Sequence, residues 1–203
     1  GVQTCALPIF SLHGGRLSAD LNQAGLFNGN ATGSIVADAR SSAPDFAMKL
    51  NVSNVQMKPL LGVAMKVDRI EGTGALSFDV EGRGRNQQAI MDSLSGSGNA
   101  QVRNGALRGV DLAAVARSVE GALSGALGAA TGEKASTDFA ELGGTFTIAN
   151  GVLHNSDFRM LNPFVRLSGD GDVNLGQRTI DFHVEPRAVT SREGQGGKAD
   201  AGG

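Results

Sequence analysis

The sequence predicts a mainly β protein, in which a long antiparallel twisted sheet forms an open half-pipe or groove-like meander with two or three short α-helices. Three observations support this fold class. Apolar and polar residues alternate along most of the chain, Asn-Gly pairs recur between the alternating runs, and 30 glycines stand against five prolines in 203 residues. Because glycine suits tight turns and close backbone approach, this composition favours many short connections between strands.

The first half of the chain contains a series of alternating runs, which are typical of half-buried strands. They cover residues 15–23, 33–40, 46–53 and 73–82, and the last of them is the clearest. Two interruptions read as short helices. MKPLLGVAM is apolar and carries Pro59 where the first helical turn would be, and Asn86 is a suitable N-cap for NQQAIMDSL.

Three Asn-Gly pairs predict two-residue hairpin turns, because type I′ turns need positive φ at both central residues. The pairs are Asn28-Gly29, Asn104-Gly105 and Asn150-Gly151. The last two lie 46 positions apart within a repeated spacing of glycine and aliphatic residues, which indicates a serial arrangement of hairpins.

The second half begins with a predicted helix, for which Asp111 is a suitable N-cap and which extends to about Leu123. The glycine-rich residues 124–138 are predicted to be a mobile loop. From Leu142 onward the alternation returns, with turns predicted at residues 162–163, 169–171 and 176–177. We expect one β domain over residues 10–188 and a disordered tail over residues 189–203, which has almost no apolar content.

Residues 1–9, GVQTCALPI, resemble a translated sequencing adapter and are interpreted as a non-native segment. Cys5 lies within them and is the only cysteine of the chain. The remaining chain therefore has none, which is compatible with a periplasmic protein.

Composition argues against several functions. Eighteen basic and 20 acidic residues give a net charge of −2, so no electrostatic footprint for nucleic acid is present. No apolar run reaches the roughly 18 residues of a membrane span. The three histidines are scattered without metal-ligand spacing, and no nucleophile motif occurs. We therefore expect no catalytic, cofactor-binding or metal site, and no enzymatic activity.

The most informative feature is a set of apolar residues that alternation places on one face of a continuous sheet. Leaving each of them exposed forgoes roughly 1.5–3 kcal/mol, so something must cover this face. The residues leave two alternatives open: the sheet folds on itself or is covered by the helices, or a lipid acyl chain lies along it. The set comprises Leu76, Phe78, Val80, Phe146, Ile148, Phe158, Met160, Val165, Leu167, Ile180, Phe182 and Val184.

Residues 72–118 resemble the C-terminal part of the AsmA family of bacterial envelope proteins, and a weaker resemblance runs from about residue 14 to residue 187. The matching positions are Leu94, Gly96, Gly98, Asn104, Gly105, Leu107, Gly109, Val110, Asp111 and Leu112.

The resemblance implies a non-enzymatic role in outer-membrane biogenesis, as part of a hydrophobic β-groove for intermembrane transport of phospholipid or another acyl-chain lipid. It also implies a periplasmic location, envelope proteins as further partners, and a fragment of a longer parent anchored in the inner membrane of a Gram-negative bacterium. The alternative is a structural or chaperone-like module that assists or regulates the assembly and targeting of outer-membrane proteins. The resemblance favours the lipid groove.

Overall fold

The computed structural model describes residues 9–111 and 131–189, which form ten β-strands and two α-helices. The elements in chain order are β1 (Ile9–His13), β2 (Arg16–Leu26), β3 (Gly29–Asp38), β4 (Asp45–Gln56), α1 (Met57–Met65), β5 (Ile70–Arg83), α2 (Gln87–Ser93), β6 (Ser95–Val110), β7 (Thr131–Ala149), β8 (Val152–Leu161), β9 (Val165–Asn174) and β10 (Thr179–Ala188).

The ten strands form one sheet in which each strand pairs only with its neighbours in the chain. Every pairing is antiparallel, and the sheet is open, with β1 and β10 at its two edges. The predicted fold class is therefore confirmed. Short connections suffice for this topology because antiparallel neighbours need only a hairpin between them.

Both predicted helices of the first half are present. Helix α1 follows β4 directly, and Lys66 ends it in the left-handed conformation with φ of 58°. Helix α2 begins after Asn86, whose side-chain oxygen accepts a hydrogen bond of 2.9 Å from the backbone N–H of Ala89. Neither helix of the described ranges has the length and apolar character needed to cross a membrane.

Bulges interrupt the ladders on several strands. The register shifts between Val52 and Val55 of β4, between Glu71 and Thr73 of β5, and between residues 155 and 158 of β8. An extra residue on one strand bends it and increases its local twist. The open sheet is therefore bent along its length as well as twisted.

One of the three predicted Asn-Gly turns is confirmed at its predicted residues. Asn150 and Gly151 have φ of 50° and 75° and connect β7 to β8, with Ala149 paired to Val152. At the first pair the turn lies one residue earlier, because Phe27 and Asn28 carry the positive φ angles. Gly29 already belongs to β3, where a side chain would overlap the backbone of Ser53.

The Asn104-Gly105 prediction is wrong. Both residues lie inside β6, which runs without a turn from Ser95 to Val110. Asn104 has a φ of 48° and shares a bulge with Gly105 opposite Gly72 of β5. A left-handed Asn is as suitable for a bulge as for a hairpin, and here strands on both sides continue past it.

Two further predictions need correction. The turn predicted at residues 169–171 lies within β9, which pairs along its whole length with β10. The predicted mobile loop 124–138 is described only from residue 131, and from there it forms the first residues of β7. Residues 112–123 of the predicted helix, the tail beyond residue 189 and residues 1–8 of the adapter-like segment lie outside the described residues. Ile9 begins β1.

The buried core gathers where β4 runs into α1. It consists of Ala31, Val52, Val55, Met57, Val102, Phe139 and Met160. Leu60 and Leu61 of α1 pack against this cluster, so the helix covers that end of the sheet. The core therefore occupies one end of the strands, and this cluster does not cover most of the length of the sheet.

Candidate functional site

The register brings all twelve residues of the predicted apolar set onto one face of the sheet. Directly paired residues of antiparallel strands point to the same face. One row of pairs runs from Leu50 through Phe78 and Gly98 to Phe146. At the other edge, Gly171 is paired with Phe182 and Gly169 with Val184. We call this side of the sheet the apolar face.

The apolar face extends further than the predicted set. It continues across the first four strands, which the sequence interpretation did not include among the candidate residues. Outside the bulges, the described side chains on this face all belong to apolar residues or glycine, with the exceptions of Thr137 and Asn155. The added members are Phe10, Leu12, Leu17, Ala19, Leu21, Ala31, Ile35, Ala37, Phe46, Met48, Leu50 and Val52.

Exposure divides the predicted set into three groups. Ile148, Met160 and Val165 are buried, with Met160 only 1% exposed, so they are core positions rather than surface for a guest molecule. Ile180 and Val184 lie at the edge and are 73% and 43% exposed. The other seven are half-buried. The described chain therefore leaves much of the apolar face without full cover.

The two helices lie over opposite ends of this face. The side chain of Met57 in α1 occupies the space above Gly74, and Ile90 of α2 lies above Gly82. These glycines are eight positions apart on β5, a distance of about 27 Å along a strand. Since each helix has a radius of about 5–6 Å, a gap of roughly 15–17 Å remains between them. The gap runs across the strands and forms a shallow trough.

The floor of the trough is flattened by phenylalanines that lie over glycines of the neighbouring strand. The ring of Phe146 covers Gly98, and a Cβ placed on Gly169 would approach Phe182 to 3.1 Å and Phe158 to 3.3 Å. Phe158 and Phe182 meet edge to face above β9, with ring centroids 5.7 Å apart. Glycine in a strand permits such close approach. The rings therefore lie along the sheet instead of filling the trough.

The opposite face carries paired charges. Lys49 and Asp79 lie 2.8 Å apart, and Arg83 lies 2.6 Å from Asp45. The hydrogen bond from Arg83 lowers the pKa of Asp45, and the bond to Asp79 raises the pKa of Lys49. These groups are largely exposed, and such pairs stabilise a fold only weakly. Their main consequence is that the sheet is amphipathic.

A polar network fixes the β8 bulge beside Phe158, and sequence reasoning missed it. The Asn155 side chain donates to the backbone oxygen of Thr145 at 2.6 Å and accepts from the N–H of Phe158 at 3.1 Å. Asp157 accepts from the N–H of Thr145 at 2.7 Å, and this bond lowers the pKa of Asp157. Asn155 is thus a polar residue on the apolar face whose groups are bonded within the protein.

A second polar cluster ties α1 to the sheet. Glu71 of β5 accepts hydrogen bonds of 2.9 Å from Lys58 of α1 and from Arg108 of β6. The bonds from Arg108 and Lys58 lower the pKa of Glu71 to about 2. Glu71, which joins Lys58 and Arg108, is three positions from Gly74, so the cluster holds α1 at its end of the trough.

Comparison with known proteins identifies one family. The model of the AsmA family matches residues 9–158, which is about three quarters of the chain. The searches of curated proteins and of solved structures found no match. The matched region contains β1 to β7 and most of β8, and therefore most of the apolar face.

Proposed function

Because the chain belongs to the AsmA family, we propose that its apolar face is a segment of a hydrophobic groove that carries the acyl chains of phospholipids between membranes. The family is associated with bacterial envelope proteins, which suggests a role related to outer-membrane biogenesis. A periplasmic location and an inner-membrane anchor on the parent protein are parts of the same proposal.

The observation that carries the proposal is the incompletely covered trough between α1 and α2. Its floor contains Leu50, Phe78 and Phe146, which are all half-buried. Each methylene of a guest chain removed from water there contributes about 0.8 kcal/mol. An acyl chain would cover the floor and lose its own contact with water, so apolar surface of both the protein and the lipid is removed from water.

The length of the trough supports a conduit over a pocket. Ten strands side by side extend about 43 Å along the sheet, at the usual interval of about 4.8 Å. One leaflet of bilayer hydrocarbon is about 15 Å thick, half of the roughly 30 Å core. The floor is therefore longer than one lipid tail, and a lipid can occupy successive positions along it.

The floor offers an acyl chain apolar contact without competing polar groups. The two polar residues among its described side chains are bonded inside the protein: Asn155 in its bulge, and Thr137 to the backbone oxygen of Val110 at 2.8 Å. The ion pairs lie on the other face, which suits an aqueous surrounding. The alternative, a chaperone-like module, requires a closed core, whereas this sheet is open.

Site-specific photo-crosslinking tests the proposal. A photoreactive phenylalanine analogue at Phe78 reports on the trough, and the same analogue at Ser77 reports on the opposite face of the same strand. The protein is expressed in a Gram-negative periplasm, irradiated and analysed by mass spectrometry. We expect phospholipid adducts at position 78 and few at position 77. Equal labelling at both positions, or no lipid adduct at position 78, would refute the groove.

A further inference from the structure

Strand β10 pairs with β9 on one side, and none of the described residues pairs with its other side. The direction of its backbone groups follows from three contacts. The carbonyl oxygens of Asp181 and His183 point at Gly171 and Gly169 of β9, and Val189 donates its N–H to Phe164 at 2.9 Å. Odd-numbered residues therefore bond towards β9.

Backbone groups alternate in direction along an antiparallel strand. The N–H and C=O groups of Ile180, Phe182 and Val184 consequently point to the open edge. The backbone nitrogen of Pro186 also points to the open edge. Its missing N–H therefore removes no hydrogen bond to β9, and it ends the row of donors on the open edge. The edge thus presents a ladder of three residues with a defined end, which is a template for another strand.

The side chains beside this ladder determine what kind of strand fits. A residue paired with Ile180 or Val184 would place its side chain on the apolar face, next to side chains that are 73% and 43% exposed. Apolar residues at these positions would cover that surface. The added strand would also extend the floor of the trough by one strand.

The charges on the polar face determine which residues fit at the positions of the added strand between these apolar residues. On the polar face, Asp181 is paired directly with Asp172 of β9, and like charges in this arrangement are destabilising. Asp170 and Glu185 add further carboxylates nearby. His154 lies 2.8 Å from Asp172, and His183 and Arg187 lie 3.5 and 3.4 Å from Glu185, so the described cations beside this group contact Asp172 and Glu185 rather than Asp181. A cation on an added strand beside Asp181 would relieve this repulsion.

We propose that the edge of β10, which no described residue pairs with, binds an extended peptide strand that carries apolar residues at every second position and basic residues between them. The strand runs antiparallel to β10 and bonds to residues 180, 182 and 184. The partner is another polypeptide with this alternation. The site is the backbone edge that borders the floor of the trough, and binding of a strand there does not require a lipid.

N-methylated peptides provide the sharpest test, because they leave the protein unchanged. The probe is a fluorescent peptide of alternating valines and lysines, titrated into the lipid-free 203-residue chain and followed by anisotropy. In the proposed register the valine N–H groups face β10 and the lysine N–H groups face away. Methylation of the valine nitrogens should abolish binding, and methylation of the lysine nitrogens should change the Kd by less than about threefold. Equal effects of the two methylations would refute strand addition.

Protein variants and a charge control complete the test. Val184→Pro removes one donor from the open edge and should weaken binding about tenfold or more, whereas Val184→Thr keeps the donor and should weaken it less. Pro186→Val adds a donor and should strengthen binding. A peptide with glutamates in place of lysines should bind at least about tenfold more weakly. Unchanged affinity across these variants, or a dimer that occupies the edge and excludes the peptide, would overturn the proposal. Circular dichroism verifies that each variant is folded.

Discussion

A charge placed in the trough should separate lipid binding from folding. Phe182→Asp is the substitution of choice, because Phe182 is half-buried, lies over Gly171 and contacts Phe158 edge to face. If the trough holds a replaceable guest, the new carboxylate remains accessible to water. It would then repel acyl chains without being an unpaired charge in a closed core.

The cost to stability can be worked from these contacts. Full burial of a phenylalanine contributes about 1.5–3 kcal/mol, so the half-buried Phe182 contributes about 1–1.5 kcal/mol. The edge-to-face pair with Phe158 adds about 0.5–1.5 kcal/mol. The variant should therefore lose about 1.5–3 kcal/mol, which a domain of ordinary stability of roughly 5–15 kcal/mol survives.

Met160→Asp is the matched comparison on the same face. Met160 is 1% exposed, so its truncation costs about 2–5 kcal/mol and the unpaired buried charge adds several more. This variant should not fold. Asp181→Asn, on the opposite face of β10, is the control: it removes one of two directly paired carboxylates, so it should not lower stability and should leave lipid binding unchanged.

Urea unfolding and lipid crosslinking from a photoreactive analogue at position 158, which is in contact with Phe182, are the two measurements. We expect the Phe182→Asp protein to unfold cooperatively at lower urea and to lose most crosslinking near β10. Unfolding of Phe182→Asp to the same degree as Met160→Asp would show that the trough is a closed core. A folded variant with undiminished crosslinking at neighbouring positions would show that lipid does not reach this part of the sheet.

Three further predictions concern stability. Gly151→Val forces a β-branched residue to a φ of 75° and should cost at least about 1–2 kcal/mol in urea unfolding, whereas Gly25→Val, at a site with open space and no positive φ, should cost less. The lowered pKa of Glu71 contributes stability that is present above the ordinary value of 4.5 and is lost as the pH falls towards about 2. Glu71→Gln should accordingly flatten the pH dependence of the urea midpoint in that window, and an unchanged slope would contradict the cluster with Lys58 and Arg108. Asn86→Ala removes the N-cap of α2 and should lower the free energy of unfolding by about 1 kcal/mol, unlike the neighbouring Gln87→Ala, and equal melting temperatures for both variants would contradict the cap.

Local patterns were enough to predict most of the described strands, both described helices and the face that each residue of the apolar set occupies. Alternation in TGALSFDVEG places Leu76, Phe78 and Val80 on one side wherever the strand lies, because successive side chains of a strand point to opposite faces. Asn86 could be identified as a cap because an N-cap bonds to its own helix, only three residues away. These features depend on neighbours in the chain, which the sequence displays directly.

The role of each glycine was decided by the tertiary structure. Asn150-Gly151 forms a hairpin and Asn104-Gly105 forms a bulge, although the dipeptides are identical. The difference is that β5 and β7 both continue alongside β6 beyond Asn104. Keeping the hydrogen bonds of both ladders stabilises β6 more than a turn at Asn104 would. Residues 169–171 likewise look like a turn, but Gly171 lies beneath a phenylalanine of the next strand.

The apolar set was determined by the sequence, but its division into core and trough was not. Alternation predicts that Met160 and Ile180 lie on the same face, and the register confirms it. One is 1% exposed and the other 73%, because the bulged strands and α1 gather the core at one end of the sheet while β10 remains an edge. Burial depends on which elements cover a position, and that cover is supplied by residues far away in the chain.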